Sequence, residues 1–175
     1  MAKLRDVKGW FAWIVGGPQR AVEQSFFSSL QEQARFLGLL DRVRFLGYRA
    51  DVARLMRSAD IYSQPNDRHP EPFGLSFVEA LKAGLPVVST AMGGVPEIVD
   101  DNCAVLVEPS SADALAHALR RLVIDGDCRL KMATSARQRA QAFAPEQRMK
   151  ELVALLARFH LERQGKTSEA KGRPW

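Results

Sequence analysis

A chain of 175 residues, 46% of them hydrophobic, can bury one sizeable core and is too short for two full domains. Its charged share of 26% is ordinary for a folded protein, which argues against general disorder and against a membrane protein. The 25 Lys and Arg outweigh the 20 Asp and Glu to give a net charge of +5, but they are scattered along amphipathic segments, so solvated helix faces account for them better than a nucleic-acid surface does.

Trp10 to Val15 (WFAWIV) is a continuous apolar run stopped by Gly16-Gly17-Pro18, the pattern of a strand buried on both faces. From Pro18 to about Leu39, Val22, Phe26, Leu30, Ala34 and Leu37 recur at helical spacing, and Gly38 stands where that helix should end. Val43 to Gly47 reads as the next strand. Asp51 is placed to cap a short helix carrying Val52, Leu55 and Met56, after which Asp60 to Ser63 returns as a brief strand. Gln64 to Pro72 (QPNDRHPEP) is rich in proline and polar residues, which makes it a loop.

A helix is expected from Gly74 to Lys82, a short buried strand over Pro86–Thr90, a glycine-rich turn over Met92–Pro96 and a last strand over Ala104–Val107. The remainder reads as helical. Ser111 or Asp113 caps a helix with Leu115, Ala116, Leu119, Leu122 and Val123 inward, and a second covers roughly Cys128 to Phe143. A third starts at Pro145 with Met149, Leu152, Val153, Leu156 and Phe159 inward. Residues 164–175 are polar with Gly and Pro and read as a disordered tail after a domain over 1–163.

No apolar run approaches the ~18–20 residues of a membrane-spanning helix, and Met1 to Trp10 offers no signal-peptide stretch, so a cytoplasmic location is expected. Cys103 and Cys128 stand in unrelated contexts without a partnering His cluster, and no metal site is expected. Strands alternating with helices call for an α/β fold, a parallel sheet with helices on both faces. In that architecture ligands sit beyond the carboxyl ends of strands, here the loops after Val15, Phe45, Ser63 and Ser89.

The loop after Ser63 delivers Glu71-Pro72-Phe73-Gly74-Leu75 to a helix start, and Glu79 follows Glu71 after seven intervening residues. The first turn of a helix leaves main-chain N–H groups without partners at the positive end of its dipole, a setting that suits a phosphate or diphosphate. Gly74 has no Cβ to obstruct an anion, which makes the amides of Phe73, Gly74 and Leu75 the expected donors. Carboxylates accept hydrogen bonds from vicinal hydroxyls, so two of them straddling a diphosphate suit the two ends of a sugar nucleotide. The plainer alternative makes Glu71 a loop acid favoured by the helix dipole and Glu79 a solvated helix residue.

The string EPFGLSFVEALKAGLPVVSTAMGGVPEIV resembles the signature of the retaining glycosyltransferase family 4, whose glutamate pair frames a Phe-Gly-Leu helix start, followed by a Gly-Leu-Pro-Val-Val strand and a Gly-Gly-x-Pro-Glu loop. IVGGPQ is similar to that family's Val-Gly-x-Gly-Pro turn, RVRFLGY to the strand before its base-binding loop, and SADIYSQPN to its Ala-Asp-x-x-x-x-Pro-Ser strand end; the likeness runs from about Phe11 to His160.

The resemblance implies the Rossmann-like carboxy-terminal, donor-binding lobe of a two-lobed GT-B glycosyltransferase, with a nucleotide sugar as donor substrate and no metal or cofactor. It implies that Glu71 contacts the donor sugar and carries the catalytic role, that Glu79 holds the ribose, and that the amides of Phe73, Gly74 and Leu75 hold the diphosphate. Tyr48 and Arg49 fall where the base is held, largely by main chain, and Gly93 and Gly94 line the back of the pocket or form a plain tight turn. His69 reads as a loop residue, and Asp67 has no second acid at metal-binding spacing.

The family's donor domain opens with a strand and helix bearing an Arg and a Lys that neutralise the diphosphate, and this chain departs from that pattern: only Met1 to Trp10 precede its first strand, and Lys8-Gly9 lacks the intervening helix. The implied fold therefore lacks its first strand and helix, and the acceptor-binding amino-terminal lobe is expected as a separate lobe or subunit. An exposed sheet edge inviting self-association is a further expectation. Two other readings stay open at this stage: a non-catalytic module binding a nucleotide sugar or phosphate, and an interaction protein that keeps the fold as scaffold.

Overall fold

A computed structural model describes residues 1–171, with the side chains of residues 1–161. After a 3-10 turn at Ala2–Leu4, the described chain runs β1 (Ala12–Val15), α1 (Ala21–Phe36), β2 (Val43–Gly47), α2 (Val52–Arg57), β3 (Tyr62–Gln64), α3 (Leu75–Ala83), β4 (Val87–Thr90), α4 (Val95–Ile98), β5 (Ala104–Val107), α5 (Ala112–Ile124), α6 (Gly126–Gln141) and α7 (Pro145–Lys171). No helix among the described residues is long and apolar enough to cross a membrane.

The α/β alternation pairs the named strands in parallel. Ala12 of β1 lies opposite Val43 of β2, Tyr62 of β3 opposite Val87 of β4, and Val87 opposite Ala104 of β5. The ladder is interrupted, however: β1 and β2 form one sheet and β3, β4 and β5 another, so β1 and β3 each keep an edge without a ladder partner among the described residues. The core does not divide with the ladder. Val43 of β2 and Val88 of β4 share one apolar cluster with Leu119 and Leu122 of α5 and with Leu4, Val7 and Trp10 of the amino-terminal segment. Trp10 is fixed there by its indole N–H, which donates to the Leu4 carbonyl at 2.9 Å.

β4 shows why helices cover both faces. Successive strand residues point to opposite sides, so Val88 enters the cluster beneath α5 while Val87 enters a second one, with Phe77 and Leu81 of α3, Ile98 of α4 and Ala136 of α6. Both valines are fully buried. Caps set the later helices: Ser111 Oγ accepts from the Ala114 amide at 3.2 Å and Asp125 Oδ1 from the Cys128 amide at 2.8 Å.

Several local expectations change. β1 is not buried on both faces: Ala12 and Ile14 pack on the core, while Trp13 and Val15 alternate outward and are exposed. The inward stripe of α1 is rotated, with Val22 and Phe26 exposed and Phe27 instead meeting Phe45 edge to face at 5.6 Å. Asp51 does not cap α2 with its side chain; both its carboxylate oxygens accept from Arg49 instead. The glycine-rich turn continues into α4. Met149, Leu152, Val153, Leu156 and Phe159 of α7, expected inward, are exposed. α7 continues to Lys171 through part of the expected tail, and 172–175 lie outside the described residues.

Candidate functional site

The loop between β3 and α3 is anchored from beneath by two polar residues at the end of β4. Ser89 and Thr90 are buried in an otherwise apolar strand, and a buried hydroxyl needs a partner. Ser89 Oγ donates to the Gln64 carbonyl at 2.6 Å. Thr90 Oγ1 donates to the Asn66 carbonyl at 2.7 Å and accepts from the Asn66 amide at 3.0 Å. The chain is thereby pinned on either side of Pro65, where proline supplies no N–H of its own.

From that anchor the loop returns to place Glu71 in front of α3. Glu71 forms a parallel bridge with Gly93, and its carbonyl accepts from the Gly94 amide at 2.8 Å. Its carboxylate is held as firmly: Oε1 accepts from the Gly74 amide at 2.8 Å and Oε2 from Gln64 Nε2 at 2.9 Å. Gln64 is held in turn by Oε1, which accepts from Ser76 Oγ at 2.9 Å and from the Tyr62 hydroxyl. Each carboxylate oxygen has a second lone pair for a ligand hydroxyl.

These contacts revise the part expected of Gly74. Its amide is already engaged by Glu71, and the space where a Cβ would stand is filled by Ile98 Cδ1, with Phe77 and Glu71 close by. The glycine is required by its left-handed φ of 65° and by close packing. The amides of Phe73, Leu75 and Ser76 donate to no acceptor among the described residues. Gly93, at φ 60°, abuts the Glu71 main chain, where a Cβ would come within 2.7 Å of the Glu71 nitrogen.

Glu79 is exposed on α3 and Glu71 half-buried in front of it. Both carboxylates act on the phenol of Tyr62, whose pKa is pushed up to about 12: burial is the main cause, a hydrogen bond with Ser76 opposes it, and the charges of Glu71 and Glu79 add to it. The charges of both acids thus reach Tyr62, the first residue of β3.

Tyr48 and Arg49 lie apart, at the carboxyl end of β2. Tyr48 is 89% exposed, and Arg49 makes a two-pronged ion pair with Asp51 at 2.7 and 2.8 Å. Their strand end is tied to that of β1, where the Gly16 amide donates to the Gly47 carbonyl at 2.8 Å. Neither residue bonds to the Glu71 group.

A surface hollow of about 390 Å³ is lined by Phe73, Gly94, Ile98, Arg139 and Phe143 among others, and one of about 530 Å³ by Arg5, Leu37 and Arg42. Glu71 and Glu79 line neither. His69 and Asp67 are exposed loop residues, and among the described residues no three His, Cys, Asp or Glu side chains gather where a metal ion could sit.

Four residues of this arrangement were missed by sequence reasoning: Gln64, Ser76, Ser89 and Thr90. A signal existed for two of them, since hydroxyls ending a strand as apolar as Pro86-Val87-Val88 must find bonds in a buried setting. Gln64 and Ser76 carried none, because their meeting depends on how the loop folds back.

Comparison with known proteins accords with this architecture. The D-inositol 3-phosphate glycosyltransferase of Saccharomonospora viridis is 36% identical over 95 residues, which cover 54% of this chain and 22% of that protein. The Anabaena protein Alr3699/HepE, solved in complex with UDP, superposes with a TM-score of 0.75 and 31% identity over 83% of this chain and 41% of its own. The carboxy-terminal domain of the group 1 glycosyl transferase LpcC of Francisella tularensis gives a TM-score of 0.71 and 28% identity, covering 80% of this chain and 72% of that domain. The chain therefore has the fold of a GT-B carboxy-terminal domain and spans less than half the length of the first two proteins. Residues 1–139 match the glycosyl transferases group 1 family, to which this chain belongs.

Proposed function

We propose that this chain is the donor-binding lobe of a retaining glycosyltransferase that takes its sugar from a nucleoside diphosphate. The observation that carries the reading is the fixation of the Glu71 carboxylate between the Gly74 amide and Gln64, directly before a helix whose Leu75 and Ser76 amides remain unpaired. Those amides and that of Phe73 donate to the diphosphate oxygens at the positive end of α3. Glu71 accepts hydroxyls of the transferred sugar, Glu79 those of the ribose, and the main chain at Tyr48 and Arg49 meets the base. The donor is a substrate, and no resident metal or cofactor is assigned. Supporting this reading, the Anabaena relative was solved with UDP and with UDP-glucose.

Transfer requires an acceptor held against the donor, and we assign that task to a separate amino-terminal lobe. A calorimetric screen of UDP-, GDP- and ADP-sugars against the chain should return one that binds, with affinity reduced by Glu71→Ala and Glu79→Ala. Binding of none, or binding indifferent to both substitutions, would remove the proposal. With the amino-terminal lobe supplied, NMR of the product should show the donor's anomeric configuration kept; inversion would exclude the retaining assignment.

A further inference from the structure

Glu71 is the only donor-contacting side chain proposed above whose orientation depends on another side chain, and that side chain is Gln64. A free glutamate at the end of a proline-rich loop would sample several rotamers, and holding it in one requires a donor for each oxygen. The main chain supplies the first, the Gly74 amide on Oε1 at 2.8 Å; Gln64 Nε2 supplies the second, on Oε2 at 2.9 Å.

Only a carboxamide fits this position as it is built. It must donate at one end to a carboxylate, which cannot donate back, and accept at the other end from two hydroxyls, those of Tyr62 and Ser76. The main chain of Gln64 is itself fixed, its carbonyl accepting from the buried Ser89 hydroxyl at 2.6 Å. β4 holds Gln64, Gln64 holds Glu71, and Tyr62 and Ser76 set the direction in which the carboxamide points.

Resting on the donor-site reading above, we infer that Gln64 is a positioning residue for Glu71, touching no donor atom itself and acting on the sugar alone. The nucleotide portion is assigned to α3 amides and Glu79; Gln64 bonds to none of these groups, and its tie to α3 is the Ser76 hydroxyl.

The test measures UDP-glucose and UDP by calorimetry on the wild-type chain, Gln64→Met, Glu71→Ala and the double variant. Methionine keeps the length of the side chain and removes both polar ends. Gln64→Met should weaken UDP-glucose by about tenfold, the range of one hydrogen bond to a charged group, and leave UDP within about twofold. In the Glu71→Ala background it should change neither ligand further, since its effect passes through Glu71.

A ligand-free measurement decides the case if UDP-glucose does not bind. Hydrogen exchange of the Gly74 amide should quicken in Gln64→Met, because a released Glu71 carboxylate no longer protects it. Equal losses for UDP and UDP-glucose, a full additional loss on top of Glu71→Ala, or an unchanged Gly74 amide would each overturn the inference. If instead Glu71→Ala alters neither ligand, the donor-site reading falls, and the Gly74 amide still reports whether Gln64 holds Glu71.

Discussion

Glu71 and Gly93 meet main chain to main chain: they pair as a parallel bridge, the Gly94 amide continues the contact at 2.8 Å, and no room is left between them for a side chain on Gly93. The acid proposed to meet the sugar is therefore positioned through the turn after β4 as well as through its own loop.

Gly93→Ala tests that dependence. The left-handed φ of 60° alone costs an L-residue about 1–2 kcal/mol, and the added methyl would press on the Glu71 main chain and on Pro70. Urea unfolding should show at least that loss. Sugar-nucleotide affinity should fall even at temperatures where the variant stays folded. Unaltered affinity in the folded variant would detach Gly93 from the site.

Gly74→Ala should damage folding first, since its methyl would strike Ile98 Cδ1 from a left-handed backbone. Combining it with Ile98→Ala removes the collision and should recover part of the loss beyond additivity. Strict additivity of the two stability changes would show that packing against Ile98 is not what demands glycine here.

Thr90→Val keeps shape and removes the hydroxyl that serves both the amide and the carbonyl of Asn66. Leaving those groups unpaired should cost about 1–3 kcal/mol. Exchange of the Asn66 amide should rise alongside. A loss in stability without any change at that amide would place the cause elsewhere.

Glu79→Ala separates binding from folding. The side chain is exposed, so thermal stability should move by no more than about 0.5 kcal/mol, while nucleotide affinity should fall by about 1–3 kcal/mol for lost charge-assisted bonds to a ribose. Calorimetry with UDP reads this directly, and unchanged affinity would return Glu79 to an ordinary solvated residue.

The raised pKa of Tyr62 has a consequence for alkaline stability. Its phenol keeps its proton in the folded chain up to about 12, whereas an unfolded tyrosine releases it near an ordinary value of about 10. Between those values the unfolded state binds fewer protons, so this group makes stability fall as pH rises and adds nothing below that window. Tyr62→Phe should therefore lose less stability than the wild type on going from pH about 10 to about 12. Equal slopes in chemical denaturation across that interval would show that the phenol is not held neutral.

Much of this protein could be read along the chain. Parallel strand-helix alternation follows from apolar runs such as Val87-Val88, short and bounded by Pro86 and by polar residues, and the order of motifs around Glu71 and Glu79 by itself resembles one enzyme family. Local patterns carry such information because strand and helix periodicities differ and because turn residues act where they stand.

What the tertiary structure alone decided is which faces found partners and which polar groups met. The stripe of α7 is apolar enough to predict burial, yet nothing in the described chain covers Leu152 or Leu156; periodicity shows that a face wants cover and not whether cover exists. The interruption between β1 and β3 is likewise a matter of neighbours in space. At the site, nothing along the chain showed that Gly74 packs against Ile98 or that Gln64 holds Glu71. Hydrogen bonds between residues brought together by a returning loop depend on the path of the whole chain, and no window of sequence contains that path.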